Sequence, residues 1–169
     1  MIYLSADHHF NHENVIKLCS RPFNNTTQMN IEMINIWNNI VKINDIVIYL
    51  GDFGFGKKEN LKEICEKLNG HKILVRGNHD RKQSNGGLKF IGFEDIFDSL
   101  KLDKILLTHK PVIEVEKGIV NVHGHIHNAN ISLINGYKAK NHLCVSVECT
   151  NYMPVSVDYI NKKFKSILH

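Results

Sequence analysis

A chain of 169 residues can enclose one full hydrophobic core, and 43% hydrophobic with 22% charged residues fits a globular protein rather than a disordered one. No apolar run approaches the ~20 residues of a membrane span, and Met1-Ile2-Tyr3-Leu4 lacks the basic start of a signal peptide. The net charge of +4 favours anionic substrates, but the lysines are scattered along the chain, so nucleic acid is a weakly supported partner.

The elements run as follows. Ile2–Ala6 reads as a buried strand. Asn25 and Gln28 form a capping box, and Met29, Met33, Trp37 and Ile40 mark one face of a helix reaching about Lys42. Ile46–Leu50 is a strand. Leu61, Ile64, Cys65 and Leu68 make a second amphipathic helix stopped by Gly70. Ile73–Val75 is a strand. Residues 81–93, with Gly86-Gly87, read as a flexible loop. Ile105–Thr108, Ile119–His123 and Leu143–Glu148 are further strands. Pro154 precedes a short helix or turn, and Tyr159–Leu168 is a last strand or a frayed tail. The alternation in the first half predicts an α/β sheet, with residues 1–169 forming one domain.

Polar clusters interrupt these apolar runs where strands should stop. Asp7-His8-His9, Gly51-Asp52, Gly77-Asn78-His79-Asp80, Thr108-His109 and His123-Gly124-His125-Ile126-His127 all occupy such positions. Ligands in α/β sheets lie beyond the carboxyl ends of the strands, so five coincidences of this kind predict one shared site. In an extended segment, side chains two apart face alike, which puts Asp7 with His9 and His125 with His127. Asp, Asn and neutral His suit divalent metals: manganese first, with iron, zinc, nickel or cobalt admitted. A carboxylate between two ligand sets can bridge a pair of ions, the arrangement used to hydrolyse phosphate esters.

Of the other histidines, His8 faces away from His9, His12 is a candidate substrate contact, and His123 is a neighbour of the ligands. His71, His142 and His169 read as surface or loop residues. The four cysteines, Cys19, Cys65, Cys144 and Cys149, lack metal-ligand spacing. They read as buried free thiols in a reducing cytoplasm.

The ordered blocks D-x-H, G-D, G-N-H-D, H and G-H-x-H, over residues 7 to 127, resemble the calcineurin-like metallophosphoesterase superfamily. Residues 7–16, Arg21-Pro22-Phe23 and Asn151-Tyr152-Met153-Pro154-Val155-Ser156 extend the resemblance to a small subgroup of predicted phosphoesterases from bacteria and phages. The resemblance implies a four-layer αββα sandwich. It implies one ion on Asp7, His9 and His127, a second on Asn78, His109 and His125, and Asp52 bridging them. His79 would protonate the leaving group or bind phosphate, and Asp80 would orient His79.

The chain departs from calcineurin-type protein phosphatases. It lacks the Asp-Arg-Gly that follows their G-D, and Asp80 stands where they carry Glu. Arg21 is a candidate substitute for the missing phosphate-binding arginine, or else a solvent-facing turn residue. The expected substrate is a small phosphate ester, with a nucleotide-derived diester preferred over a monoester, attacked by metal-activated hydroxide. The rival readings are a noncatalytic metal-binding scaffold and a nuclease.

Overall fold

The computed structural model describes residues 1–129 and 139–168. The chain forms strand β1 (Ile2–Ser5), helices α1 (Glu13–Leu18) and α2 (Thr26–Ile40), then β2 (Ile46–Tyr49), α3 (Lys58–Lys67) and β3 (His71–Val75). It continues through α4 (Asn85–Ile91), β4 (Asp95–Phe97), β5 (Ser99–Leu102), β6 (Ile105–Thr108) and β7 (Val120–His123). It ends with β8 (His142–Cys144), β9 (Val155–Ser156), α5 (Val157–Lys163) and α6 (Lys165–Leu168).

Two sheets pack together, flanked by helices. The first has the order β4-β3-β2-β1-β9, with β1 to β4 parallel and β9 antiparallel to β1. The second has the order β5-β6-β7-β8, with β6, β7 and β8 parallel. β1, β2 and the Ile73–Val75 end of β3 are mostly apolar because both of their faces are covered. Tyr3, Val47, Tyr49 and Leu74 join the core formed with Met29, Met33 and Trp37 of α2 and Leu61 and Ile64 of α3. Leu4, Ile48, Leu50 and Val75 join Leu107, Val120 and Val122 in the core between the sheets. Among the described residues no helix is long and apolar enough to cross a membrane.

The start of α2 shows how local sequence sets an element boundary. Asn25 Oδ1 accepts the Gln28 N–H at 2.9 Å, and Gln28 Oε1 accepts the Asn24 N–H at 2.9 Å. The reciprocal cap is therefore present, displaced by one residue on its return arm.

Several sequence expectations are corrected. Residues 81–93 are not a flexible loop. Ser84 Oγ accepts the Gly87 N–H and caps α4, which buries Leu88 and Ile91 despite its two glycines. The C-terminal segment is neither strand nor frayed. Ile160, Phe164 and Leu168, at helical spacing, close over the inter-sheet core. His142 is buried, with Nε2 2.8 Å from the Val112 carbonyl. Cys65 is buried as expected of a free thiol, but Cys19 and Cys144 are only half-buried and Cys149 is exposed. His169 lies outside the described residues.

His8 faces away from the cleft, as expected, although the backbone around it is not an extended strand. It is fully buried among Phe10, Trp37 and Tyr49. The Tyr49 hydroxyl accepts the His8 N–H and lies 2.8 Å from His8 Nδ1. Burial, and then the Arg21 charge, lower its pKa from 6.5 to about 3. The unfolded chain therefore takes up a proton near pH 6.5 that the folded protein refuses until about pH 3. Stability contributed by neutral His8 is complete above that window and is lost as pH falls through it. Denaturant unfolding measured across the window should show a shallower pH slope in His8→Phe, by up to ~1.4 kcal/mol per pH unit. Parallel wild-type and variant curves would contradict this.

Candidate active site

Each cluster named from sequence emerges at the carboxyl end of a strand: Asp7 after β1, Asp52 after β2, Asn78-His79-Asp80 after β3, His109 after β6, and His125 and His127 after β7. Their loops are hydrogen-bonded to one another. The Asp7 N–H donates to the Gly51 carbonyl, the His9 N–H to Asp52 and the Gly124 N–H to His109. Three glycines permit this close approach. A Cβ on Gly51 would collide with Gly77 and His109, one on Gly77 with Asp52, and one on Gly124 with Asp7.

The backbone geometry differs from the extended arrangement expected. Asp7, His9, Asp52, His125 and His127 all have positive φ, between 49° and 68°. The paired side chains therefore converge through left-handed turns rather than through strand alternation. Non-glycine residues pay a conformational penalty there, and such residues concentrate at functional sites.

The side chains form two ligand sets. Candidate ligand atoms of Asp7, His9 and His127 lie within 4.8 Å of one another, as do those of Asp52, His109 and His125. Asp52 Oδ2 lies between the sets, 3.8 Å from His9 Nε2 and 3.5 Å from His109 Nε2. Asn78 belongs with the second set, its Oδ1 lying 2.8 Å from His109 Nε2.

The protonation pattern tests whether these atoms fit divalent ions. His109 Nδ1 is 2.8 Å from the Leu50 carbonyl, which can only accept, so that nitrogen carries the proton. In the neutral ring, Nε2 is then a bare lone pair facing two further acceptors, Asn78 Oδ1 and Asp52 Oδ2. Three converging acceptors without a proton fit a cation. His127 repeats the pattern, with Nδ1 held by Glu148 Oε2 at 3.0 Å. Among the described residues, Asp7 Oδ1 and both nitrogens of His9 are buried without hydrogen-bond partners. Burial lowers the pKa of His109 and His125 to about 4, so both are neutral donors near pH 7. Burial also raises the Asp7 carboxyl to about 8, and nearby positive charge would reverse that shift. The residues present fit divalent ions, with the Asp52 carboxylate lying between the two ligand sets.

The role expected of Asp80 is corrected. Asp80 does not orient the His79 ring; its carboxylate accepts the backbone N–H groups of Asp52 at 2.7 Å, Gly77 at 2.8 Å and Phe53 at 3.3 Å. It ties the loop after β3 to the loop after β2. His79 instead donates its backbone N–H to Asp52 Oδ1, leaving a ring that is 42% exposed with Nε2 3.8 Å from Asp52 Oδ2.

Arg21 neither reaches the cleft nor faces water. Its guanidinium is enclosed, donating to the carbonyls of Asp7 and His8 at 2.7 and 2.6 Å and pairing with Glu148 at 2.7 Å. His12 borders the site, stacked on Phe55 with ring centroids 4.2 Å apart. His123 packs edge-on against His142, outside both ligand sets.

Glu148 was missed. It follows β8 and carries no motif of its own, although it lies just before the Asn151–Ser156 stretch. Burial alone would raise its pKa, but the His127 hydrogen bond and the Arg21 charge hold it at about 2. It joins Arg21, beneath the Asp7 loop, to His127. Ser146 was also missed; its hydroxyl donates to Asp7 Oδ2 at 2.6 Å, alongside the His125 N–H at 2.8 Å.

Comparison with known proteins agrees with this geometry. Residues 2–145 match the family model of the calcineurin-like phosphoesterase superfamily domain, so the chain belongs to that superfamily. It is a metal-dependent hydrolase of phosphate esters. An uncharacterized protein of Methanocaldococcus jannaschii is 38% identical over 169 residues, covering 95% of this chain and 89% of the relative. The crystal structure of a protein of unknown function from Aquifex aeolicus superposes with a TM-score of 0.73 at 28% identity, over 96% of this chain and 98% of that one. The nuclease MPE of Pseudomonas putida shares the fold at a TM-score of 0.51 and 18% identity, over 75% of this chain and 60% of that one.

The Arg21–Glu148–His127 chain predicts a specific variant phenotype. Glu148→Gln should weaken manganese binding about 10–100-fold by titration calorimetry, as for other partners of metal-bound histidines. It should also destabilise the protein by ~3–5 kcal/mol, because Arg21 stays buried without a countercharge. Adding Arg21→Met should recover stability but not metal affinity. Unchanged manganese affinity in Glu148→Gln would contradict the assignment.

Proposed function

We propose that residues 1–169 form one phosphodiesterase domain with a dinuclear divalent-metal centre, manganese being the first ion to test. The carrying observation is Asp52 Oδ2, within 3.8 Å of both His9 Nε2 and His109 Nε2 and so shared by the two ligand sets. When bound, such ions neutralise phosphoryl oxygens and acidify water.

The remaining roles belong to the chain. Asp7, His9 and His127 would hold one ion, and Asn78, His109 and His125 the other. Asp80 fixes the Asp52 and Gly77 backbones and so sets the bridge. His79, whose ring is half in solvent, can hold a proton at Nε2 and pass it to the departing oxygen. Asn78 can also contact a bound phosphoryl group, and His12 with Phe55 can shape the entrance.

The diester preference is supported by the position of Arg21. A monoester dianion brings an extra negative charge to the centre, and the arginine that sequence offers for it is locked beneath the Asp7 loop. The free thiols suit a reducing compartment, and we place the protein in the cytoplasm on that ground.

The test compares bis-p-nitrophenyl phosphate with p-nitrophenyl phosphate under each metal, then adds a leaving-group series. Wild-type protein with manganese should prefer the diester. His79→Ala should slow esters with poor leaving groups about 10²–10⁴-fold while affecting p-nitrophenyl esters far less. Preference for the monoester would replace the diesterase reading. Equal losses along the leaving-group series would remove the acid role, and no turnover with any metal would leave a binding scaffold.

A further inference from the structure

Two cavities flank the loop after β3, and its residues divide between them. Asn78 and Arg81 line one, of about 350 Å³, together with Arg76 and Lys110. His79 and Lys82 line the other, of about 470 Å³, together with Phe55, Lys57 and Lys58. The candidate metal ligands Asn78 and His109 open into the first, and the candidate acid His79 into the second. A phosphoryl group at the centre would therefore carry one substituent toward each cavity.

Both cavities are cationic. The first has three basic side chains against one acid, Asp98, which lies 3.9 Å from Arg81 in a largely exposed pair worth little in water. Arg76 donates to the carbonyls of Asp80 and Gln83 and to Asn85, all neutral, so its charge is not cancelled. The second has three lysines against Glu59, and neither Lys57 nor Lys82 forms an ion pair among the described residues. Lys58 lies 5.7 Å from the Phe90 ring centroid, which leaves its charge in place. Phe55 is half-buried at the wall of this second cavity, its ring already stacked on His12 and 4.9 Å from the His79 ring, so a base would extend an existing aromatic stack.

A cyclic nucleotide or a simple aryl diester brings no further negative charge to either side. A nucleic-acid strand brings phosphates to both and a base to stack on an aromatic ring, the combination that single-strand binders use. We infer that the substrate is a single-stranded oligonucleotide, threaded from the Arg76–Arg81–Lys110 cavity across the Asp52 centre to the Phe55–Lys57–Lys82 cavity. This rests on the phosphodiesterase reading. The lysines that look scattered in sequence are gathered by the fold on either side of one loop.

The test is fluorescence anisotropy on manganese-loaded protein with labelled phosphorothioate oligothymidylates, which keep their charges but resist cleavage. Affinity should rise from dinucleotide to octanucleotide. The slope of log affinity against log salt should shrink by roughly 0.7 for each lysine removed in Lys57→Ala/Lys82→Ala. Arg81→Ala/Lys110→Ala should shrink it similarly. Phe55→Leu should weaken binding about tenfold with little change in slope. As a second readout, the ratio of oligonucleotide kcat/KM to bis-p-nitrophenyl phosphate kcat/KM should fall in both double variants. Affinity independent of length, or slopes equal to wild type in both double variants, would overturn the inference. So would a blunt duplex binding as tightly as the single strand. If those failures accompany normal turnover of the small diester, only the strand assignment falls. Absent turnover of both substrates would instead remove the phosphodiesterase reading beneath it.

Discussion

The structure turns on a concentration of acceptor atoms at the carboxyl ends of its strands. Asp7 and Asp52 are almost completely buried, and the lone pairs of His9, His109 and Asn78 point toward the same small volume. Such an arrangement repels itself. Burial already pushes both carboxyls toward the protonated form in the isolated chain. Bound divalent cations would relieve that repulsion, and the positive φ values at Asp7, His9, Asp52, His125 and His127 show how much of the local backbone is committed to holding it.

The fold supplies the restraint in layers. Parallel strands bring their ends to one edge, so candidate ligands distant in sequence meet. Glycines at 51, 77 and 124 let the loops touch. Asp80 then pins two loops through three backbone amides, and Ser146 with the His125 amide pins Asp7 Oδ2. Arg21 and Glu148 form a buried pair that supports the Asp7 loop on one side and His127 on the other. A buried ion pair is costly when compared with apolar packing, and its use here is to fix position rather than to add stability.

The candidate ligands that the fold brings together were legible because their clusters each follow an apolar run, and strand, stop and polar residue form a one-dimensional signal. The paired sheets came from the resemblance, and the doubly covered strands agree with it. What sequence left out depends on three-dimensional closure. Nothing adjacent in sequence distinguishes Glu148 from a surface acid, and Arg21-Pro22-Phe23 looks like a turn from every local standpoint. Asp80 sits beside His79 in sequence but is bonded to backbone on another loop. Gly86-Gly87 argued for a loop, yet burial of Leu88 and Ile91 outweighed two poor helix formers. The short strand β4 and the alternating β5, with mixed exposure, carry too little pattern to be seen before their partners are known.

Anomalous diffraction from crystals grown with manganese tests the central claim most directly. The account predicts two peaks per chain, ~3.5–4 Å apart, with the Asp52 carboxylate touching both. One peak should be bounded by Asp7, His9 and His127, and the other by Asn78, His109 and His125. A single peak, or a pair that leaves Asp52 uncoordinated, would contradict it.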